Sequence, residues 1–228
     1  MSRVSILALG LSLVAVISLA LSSAQLSGAQ LATGSVQGAV LDGNGAPLPD
    51  ATVFAVSANT MAKQFHTTTD GAGSFTLNGL PEGDVYLQAY KESAGHPYNF
   101  FAFFTTPGER EPNIVHVKAG GTTKGAVIQL GERAARLNLE VDDGNGKVLT
   151  EGIGITFTRP DQPGPPYSTS AHSKETFWVP PVPFGITISA KGYTEYRYGT
   201  GPGESQDGLL KLKSGEARDL FVRLQRLP

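Results

Sequence analysis

The chain has no cysteine, a single tryptophan and two methionines among its 228 residues. Without cysteine there is no disulfide, no thiol nucleophile and no thiolate metal ligand, so the fold has to be held by burial of its core alone. Charge is scarce too. Asp, Glu, Lys and Arg together make 17% of the chain, the net charge is −2, and no block of like charge occurs. Such a distribution leaves no electrostatic footprint for a nucleic acid or an anionic membrane surface. What is plentiful is Gly (28) and Pro (15), the balance of short strands joined by tight turns, and long helices are not expected.

Long apolar runs are confined to the N-terminus. After Arg3, Val4 to Leu21 is almost continuously apolar, and Leu21-Ser-Ser-Ala24 then offers the small residues a signal peptidase accepts. The pattern predicts a signal peptide over residues 1–24, with a second cleavage position at Ser27-Gly-Ala29. The alternative is a retained anchor, because a run of this length approaches the roughly 20 residues that span a bilayer. Either way the folded part lies outside the cytoplasm, secreted or periplasmic, with membrane contact only through an uncleaved segment.

From Gly34 onward the chain reads as strands and turns. Gly34 to Val40 alternates apolar with small or polar residues and closes at Asp42-Gly-Asn-Gly45, residues that tolerate positive φ. Ala51 to Ser57 is the next strand, with Pro47 and Pro49 kept before it. Phe65 to Thr69 ends at Asp70-Gly71, read as a tight reversal with Gly71 at positive φ, and Ser74 to Leu77 follows. Leu80-Pro-Glu-Gly83 is a further turn, and Val85, Leu87 and Ala89 alternate with Tyr86, Gln88 and Tyr90. The expected order is a meander.

Gly38, Asp42, Gly45, Pro47 and Ala51, then Thr69-Asp70 with Gly73 and Phe75, then Leu80-Pro81 with Gly83 and Tyr86, form a series that resembles the carboxypeptidase regulatory-like family. The resemblance implies a transthyretin-like or prealbumin-like β-sandwich of the kind carried by exported bacterial proteins. It also implies a module without chemistry of its own.

A second copy of the plan follows. Asp143-Gly-Asn-Gly146 stands 101 positions after Asp42-Gly-Asn-Gly45. Val182-Pro-Phe-Gly185 with Ile186, Ile188 and Ala190 echoes Leu80-Pro-Glu-Gly83 with its following strand. This copy lacks the Thr-Thr-Asp-Gly signal and carries a Pro-rich loop from Arg159 to Pro166 instead. The fold expected is all-β: two tandem antiparallel β-sandwich domains of transthyretin-like or immunoglobulin-like type, over residues 34–131 and 135–226, joined by Gly131 to Ala135.

Catalytic constellations fail on residue type or order. His172-Ser-Lys-Glu175 matches His-x-x-Glu, yet the third ligand of such a zinc site is a later histidine and none follows Glu175. His66, His96 and His116 stand singly and read as surface or turn histidines. No Gly-x-Ser-x-Gly elbow occurs. Asp142-Asp143 borders a glycine turn, where Asp serves the backbone, and Asp42 with Asn44 is too small a set for calcium. No enzyme, metal or cofactor is predicted.

The candidate binding residues are aromatic. Tyr98, Phe100 and Phe101 belong to the run YNFFAFF, and Trp178, Tyr193 and Tyr196 follow in the second copy. They read either as packing within the sandwiches or as an exposed platform for a sugar or a partner. The function that follows is a non-catalytic binding or structural module of the cell envelope, recognising a protein or an envelope component. The alternative is a carbohydrate-binding module using the aromatics.

Overall fold

The computed structural model describes residues 33–57, 64–98, 105–109, 113–149, 152–162 and 164–228. The predicted signal peptide and Phe100 and Phe101 lie outside them. Among the described residues fourteen strands run in chain order. The first seven are β1 (Thr33–Leu41), β2 (Thr52–Ser57), β3 (Gln64–Thr68), β4 (Ser74–Pro81), β5 (Gly83–Tyr90), β6 (Asn113–Val117) and β7 (Thr122–Gln129). The next seven are β8 (Ala135–Asp142), β9 (Ile153–Thr158), β10 (Tyr167–Ala171), β11 (Lys174–Val179), β12 (Gly185–Ala190), β13 (Tyr196–Arg197) and β14 (Ala217–Arg223). A 3₁₀ turn at Glu92–Ala94 follows β5. Among the described residues no helix is long and apolar enough to cross a membrane.

These strands build two β-sandwiches with the same topology. In the first, a sheet ordered β4-β1-β7 faces one ordered β3-β2-β5-β6; in the second, β11-β8-β14 faces β10-β9-β12-β13. The opening strand is the middle strand of its three-stranded sheet each time, antiparallel to one neighbour and parallel to the other: β1 to β7 and β8 to β14. The order is therefore not a meander. The Asp42 turn folds the chain back only as far as Pro47 and Leu48 before β2 crosses to the opposite sheet. Likewise, Asp70 to Gly73 and Leu80 to Gly83 hand the chain between sheets rather than closing hairpins.

Each sandwich has its own core. In the first, Val36 and Val40 of β1 meet Val53, Ala55, Phe75, Leu77, Val85 and Leu87, all buried. The strand β5 thus turns Val85 and Leu87 inward and leaves Tyr86 37% exposed. In the second, Leu137, Leu139 and Val141 meet Ile153, Ile155, Phe157, Phe184 and Ile188. Period-2 alternation places these side chains on inner faces. Gly38 is required by close approach, since a Cβ there would lie 2.1 Å from the Ala126 carbonyl oxygen of the parallel neighbour.

One loop chemistry recurs. The Asp42 Oδ1 accepts the N–H groups of Asn44 and Ala46, both at 2.9 Å. The Asp143 Oδ1 accepts those of Asn145 at 3.0 Å and Lys147 at 3.1 Å. These backbone bonds hold the Asp143 carboxyl below its usual range. The Asp70 Oδ1 takes Ala72 and Ser74 in the same way, at 2.9 Å each. In that loop the left-handed residue is Gly73, with φ at 73°, and not Gly71. The carboxylate captures amides two and four residues on, so the reversal closes later than a two-residue turn.

Two expected outcomes follow from this packing. A Cβ on Gly73 would lie 2.9 Å from the Leu48 nitrogen and 3.0 Å from the Val40 oxygen, whereas one on Gly71 would meet nothing within 4 Å. In thermal or denaturant unfolding, Gly73→Val is expected to cost about 1–3 kcal/mol and Gly71→Ala close to none. Equal effects at the two positions would refute the placement. We also propose that residues 34–131 and 135–226 fold as separate domains. Chains cut after Arg133 should then each show a cooperative transition, and two fragments without one would mean a shared folding unit.

Candidate functional site

The two sandwiches lie within one compact unit, Leu31–Pro228, although among the described residues no strand of one pairs with a strand of the other. The connecting segment is bound rather than free. Gly131 is buried, and a Cβ there would lie 2.3 Å from the Thr106 hydroxyl and 2.5 Å from the Pro107 carbonyl oxygen. The Glu132 N–H donates to the Pro107 carbonyl at 2.7 Å and the Ala134 N–H to that of Gly95 at 2.8 Å. From the second sandwich, Arg159 donates through Nη1 to the Thr105 carbonyl at 2.7 Å. A second tether is the Trp178 indole, whose Nε1 donates to Glu92 at 3.1 Å.

Between these tethers lies a cleft of about 240 Å³. Phe54, Gln88, His96 and Tyr98 line it from the first sandwich, and Thr176 and Trp178 from the second. The strand β2 is buried along both faces, because its outward Phe54 sits beneath an aromatic cluster. The Phe54 and Tyr98 centroids are 5.2 Å apart, and Tyr90 meets Tyr98 edge-on at 5.5 Å. Tyr98 keeps 47% of its surface exposed. The strand β11 turns Phe177 against Phe157 of the core. Alternation then directs Trp178 outward, half-buried, beside its cross-strand partner Arg136.

The structure therefore divides the four aromatic candidates that lie among the described residues. Tyr98 and Trp178 share one cleft. Tyr193 and Tyr196 pack against the second core instead, and neither lines the cleft. The Arg226 guanidinium lies 5.7 Å over the Tyr193 ring. The Tyr196 hydroxyl donates to Glu204, which also accepts the Gly199 and Gly201 N–H groups at 2.7 and 2.8 Å. Burial, reinforced by Glu204, pushes the Tyr196 phenol up. Tyr196 thus fastens the loop from Gly199 to Glu204.

The histidines also separate. The His172 side chain is 94% exposed, with its backbone N–H donating to the Glu175 carboxylate at 2.8 Å, and His116 pairs with Asp84 at 2.9 Å on the surface. His96 departs from the surface reading. It is 7% exposed, because backbone bonds to Lys91 fold its turn against the cleft. Burial holds its imidazole below the ordinary histidine range, opposed by Asp42 and reinforced by Arg133. Among the described residues no group of three or more His, Cys, Asp or Glu side chains converges as a metal site would require.

Residues 35–130 match the model of the carboxypeptidase regulatory-like domain. The first sandwich is a carboxypeptidase regulatory-like domain. No curated protein sequence matches the chain. Among solved structures it is similar to the Bacillus anthracis TIE protein, at 17% identity and a TM-score of 0.33, over 86% of this chain and 34% of that one. It is also similar to GBS52, the minor pilin of Streptococcus agalactiae, at 13% identity and 0.34, over 86% and 97%. BcpA, the major pilin subunit of Bacillus cereus, matches at 9% identity and 0.30, over 86% and 100%. The chain spans about a third of the TIE protein's length.

The regulatory-like domain thus contributes one wall of the cleft and the second sandwich the other. Sequence reasoning missed Glu92, Arg133, Arg136 and the burial of His96, all single residues outside any motif.

A pH dependence follows from His96. Its folded-state pKa is lowered, while the unfolded chain titrates near the ordinary value of about 6.5. The unfolded state therefore binds the proton first, so stability is complete above about 6.5 and declines as pH falls toward the folded value. Unfolding of His96→Gln should lose less stability than the parent between about pH 7 and 5. Parallel curves would show that His96 is not held neutral by burial.

Proposed function

We propose that the chain is a non-catalytic binding or structural module of the cell envelope, exported through its N-terminal apolar segment, and that it recognises a protein or envelope component in the cleft between its sandwiches. The observation that carries the reading is the pairing of Tyr98 and Trp178 across that cleft, one from each sandwich and both partly open to solvent. Half-exposed aromatics over a largely apolar recess are the usual anchors of recognition. The reading leaves out Tyr193 and Tyr196, which pack against the second core away from the cleft. The regulatory-like domain supports the non-catalytic part of the reading, since its resemblance implies a module and the carboxylates of its Asp42 and Asp70 turns accept backbone N–H groups.

A carbohydrate-binding role is the second reading, favoured by the partly open indole and phenol on one recess, because flat aromatic faces stack on sugar rings. The test is binding of purified full chain to isolated envelope fractions, one of protein and one of glycan. Trp178→Ala combined with Tyr98→Ala is expected to weaken binding about tenfold or more, and Tyr193→Phe to leave it unchanged. Undiminished binding by the double variant would move the site elsewhere.

A further inference from the structure

Beside the cleft, and sharing Trp178 with it, lies a shallower groove of about 470 Å³. Its walls are the 3₁₀ turn at Glu92–Ala94 of the first sandwich, Arg133 of the connecting segment, and Arg136, Trp178 and Gly215 of the second sandwich. The arginines of this groove differ from the others. Arg159, Arg197, Arg218 and Arg223 each meet a carboxylate, and Arg226 lies over Tyr193. Arg133 and Arg136 have no carboxylate within ion-pair distance among the described residues, and both are exposed. Two guanidiniums without an ion pair among the described residues therefore face one recess, against the lining carboxylate of Glu92, in a chain whose net charge is −2.

Their placement is set by the fold. The Arg133 side chain runs between two left-handed glycines, one from each sandwich. A Cβ on Gly95 would lie 3.0 Å from the Arg133 Cβ, and one on Gly215 would lie 2.6 Å from its Nη2. Its backbone carbonyl is held by the Ser214 hydroxyl at 3.2 Å and the Gly215 N–H at 3.3 Å. Arg136 is the cross-strand partner of Trp178 and lies 5.7 Å over its ring. The carboxylate in the groove, Glu92, accepts the Trp178 Nε1 and so fixes the indole.

We propose that this groove binds a carboxylated sugar of an acidic glycan, with the carboxylate between Arg133 and Arg136 and the ring against Trp178. The inference rests on the reading of the neighbouring cleft as a binding site and names the ligand chemistry. Guanidinium forks match a carboxylate with two parallel hydrogen bonds, and the indole offers the apolar face a sugar ring needs. An acidic peptide shares the charge. The sugar is favoured because the groove is walled by side chains and a turn, with a fixed aromatic plane, and the described aromatics of the adjoining cleft extend it for further rings.

The single tryptophan makes the test site-specific, because Trp178 emission reports the groove directly. The full chain is titrated with polygalacturonate, with its methyl ester, which keeps the rings and removes the charge, and with polyglutamate. Calorimetry serves as a second readout, since changing Arg136 alters the indole surroundings. Polygalacturonate is expected to bind and shift the emission, and the ester and polyglutamate to bind at least about tenfold more weakly. Arg133→Gln with Arg136→Gln should weaken polygalacturonate by a similar factor at unchanged melting temperature, and Arg→Lys at both positions should restore part of it. Higher salt should weaken binding of the parent. The proposal is overturned if the acid does not bind, if its ester binds equally, if the Gln variant binds the acid as the parent does, or if polyglutamate binds as tightly. Any of these leaves the envelope-binding test of Tyr98 and Trp178 standing, since that readout does not depend on ligand charge.

Discussion

A strand at the centre of a three-stranded sheet cannot also pair with its successor when that successor lies in the opposite layer, and both sandwiches are built around this handover. Between β1 and β2 the backbone passes through the gap between sheets, where its polar groups have no ladder to join. The Thr69 hydroxyl resolves this. It donates to the Leu48 carbonyl at 2.7 Å and accepts the Ala51 N–H at 2.8 Å, while only 3% exposed. Leaving such buried groups unpaired would cost about 1–3 kcal/mol each. In the second sandwich the Ser173 hydroxyl donates to the Leu149 carbonyl at 2.5 Å, and Leu149 stands 101 positions after Leu48. A hydroxyl arriving from the end of β3, or from the start of β11, pins each crossing.

This accounts for what the sequence disclosed and what it withheld. Asp42, Asp70 and Asp143 were legible because their chemistry is local: a carboxylate bonds amides two and four residues on, and the residues that permit it are neighbours in the chain. The repeat was legible for the same reason. Strand order was not, because alternation tells which side chains face the core but not which strand lies alongside. Thr69 looked like the end of a β-branched strand, and nothing adjacent to it says that its hydroxyl serves Leu48, 21 residues earlier. The second copy lost the Thr-Thr-Asp-Gly text yet kept the clasp as Ser173, since the crossing needs a buried hydroxyl and not a particular word.

The candidate site was half legible. Trp178 and Tyr98 stood out by residue type, but composition could not separate them from Tyr193 and Tyr196, which differ only in what they touch. Trp178 meets Glu92 across 86 positions, and that contact is what turns an aromatic on an outer strand face into one wall of a cleft. The charged members were invisible for a further reason. Arg133 and Arg136 are ordinary surface residues until the two sandwiches meet, and the role proposed for them rests on their making no ion pair among the described residues.

Among the described residues the joint carries directional bonds from Glu132 to Pro107, Ala134 to Gly95, Arg159 to Thr105 and Trp178 to Glu92. Directional bonds fix orientation more tightly than an apolar seam, which tolerates sliding, yet four of them supply limited free energy because each nets about 1 kcal/mol. The cleft exists only while that orientation holds, because neither sandwich carries both Tyr98 and Trp178. A ligand touching the two walls at once binds this arrangement in preference to any other, so occupancy and rigidity of the joint are linked and each strengthens the other by the same free energy. Under the proposed reading, recognition is therefore a property of the joint, and the two cores serve it by holding Glu92, Tyr98 and Trp178 at fixed places on their own surfaces.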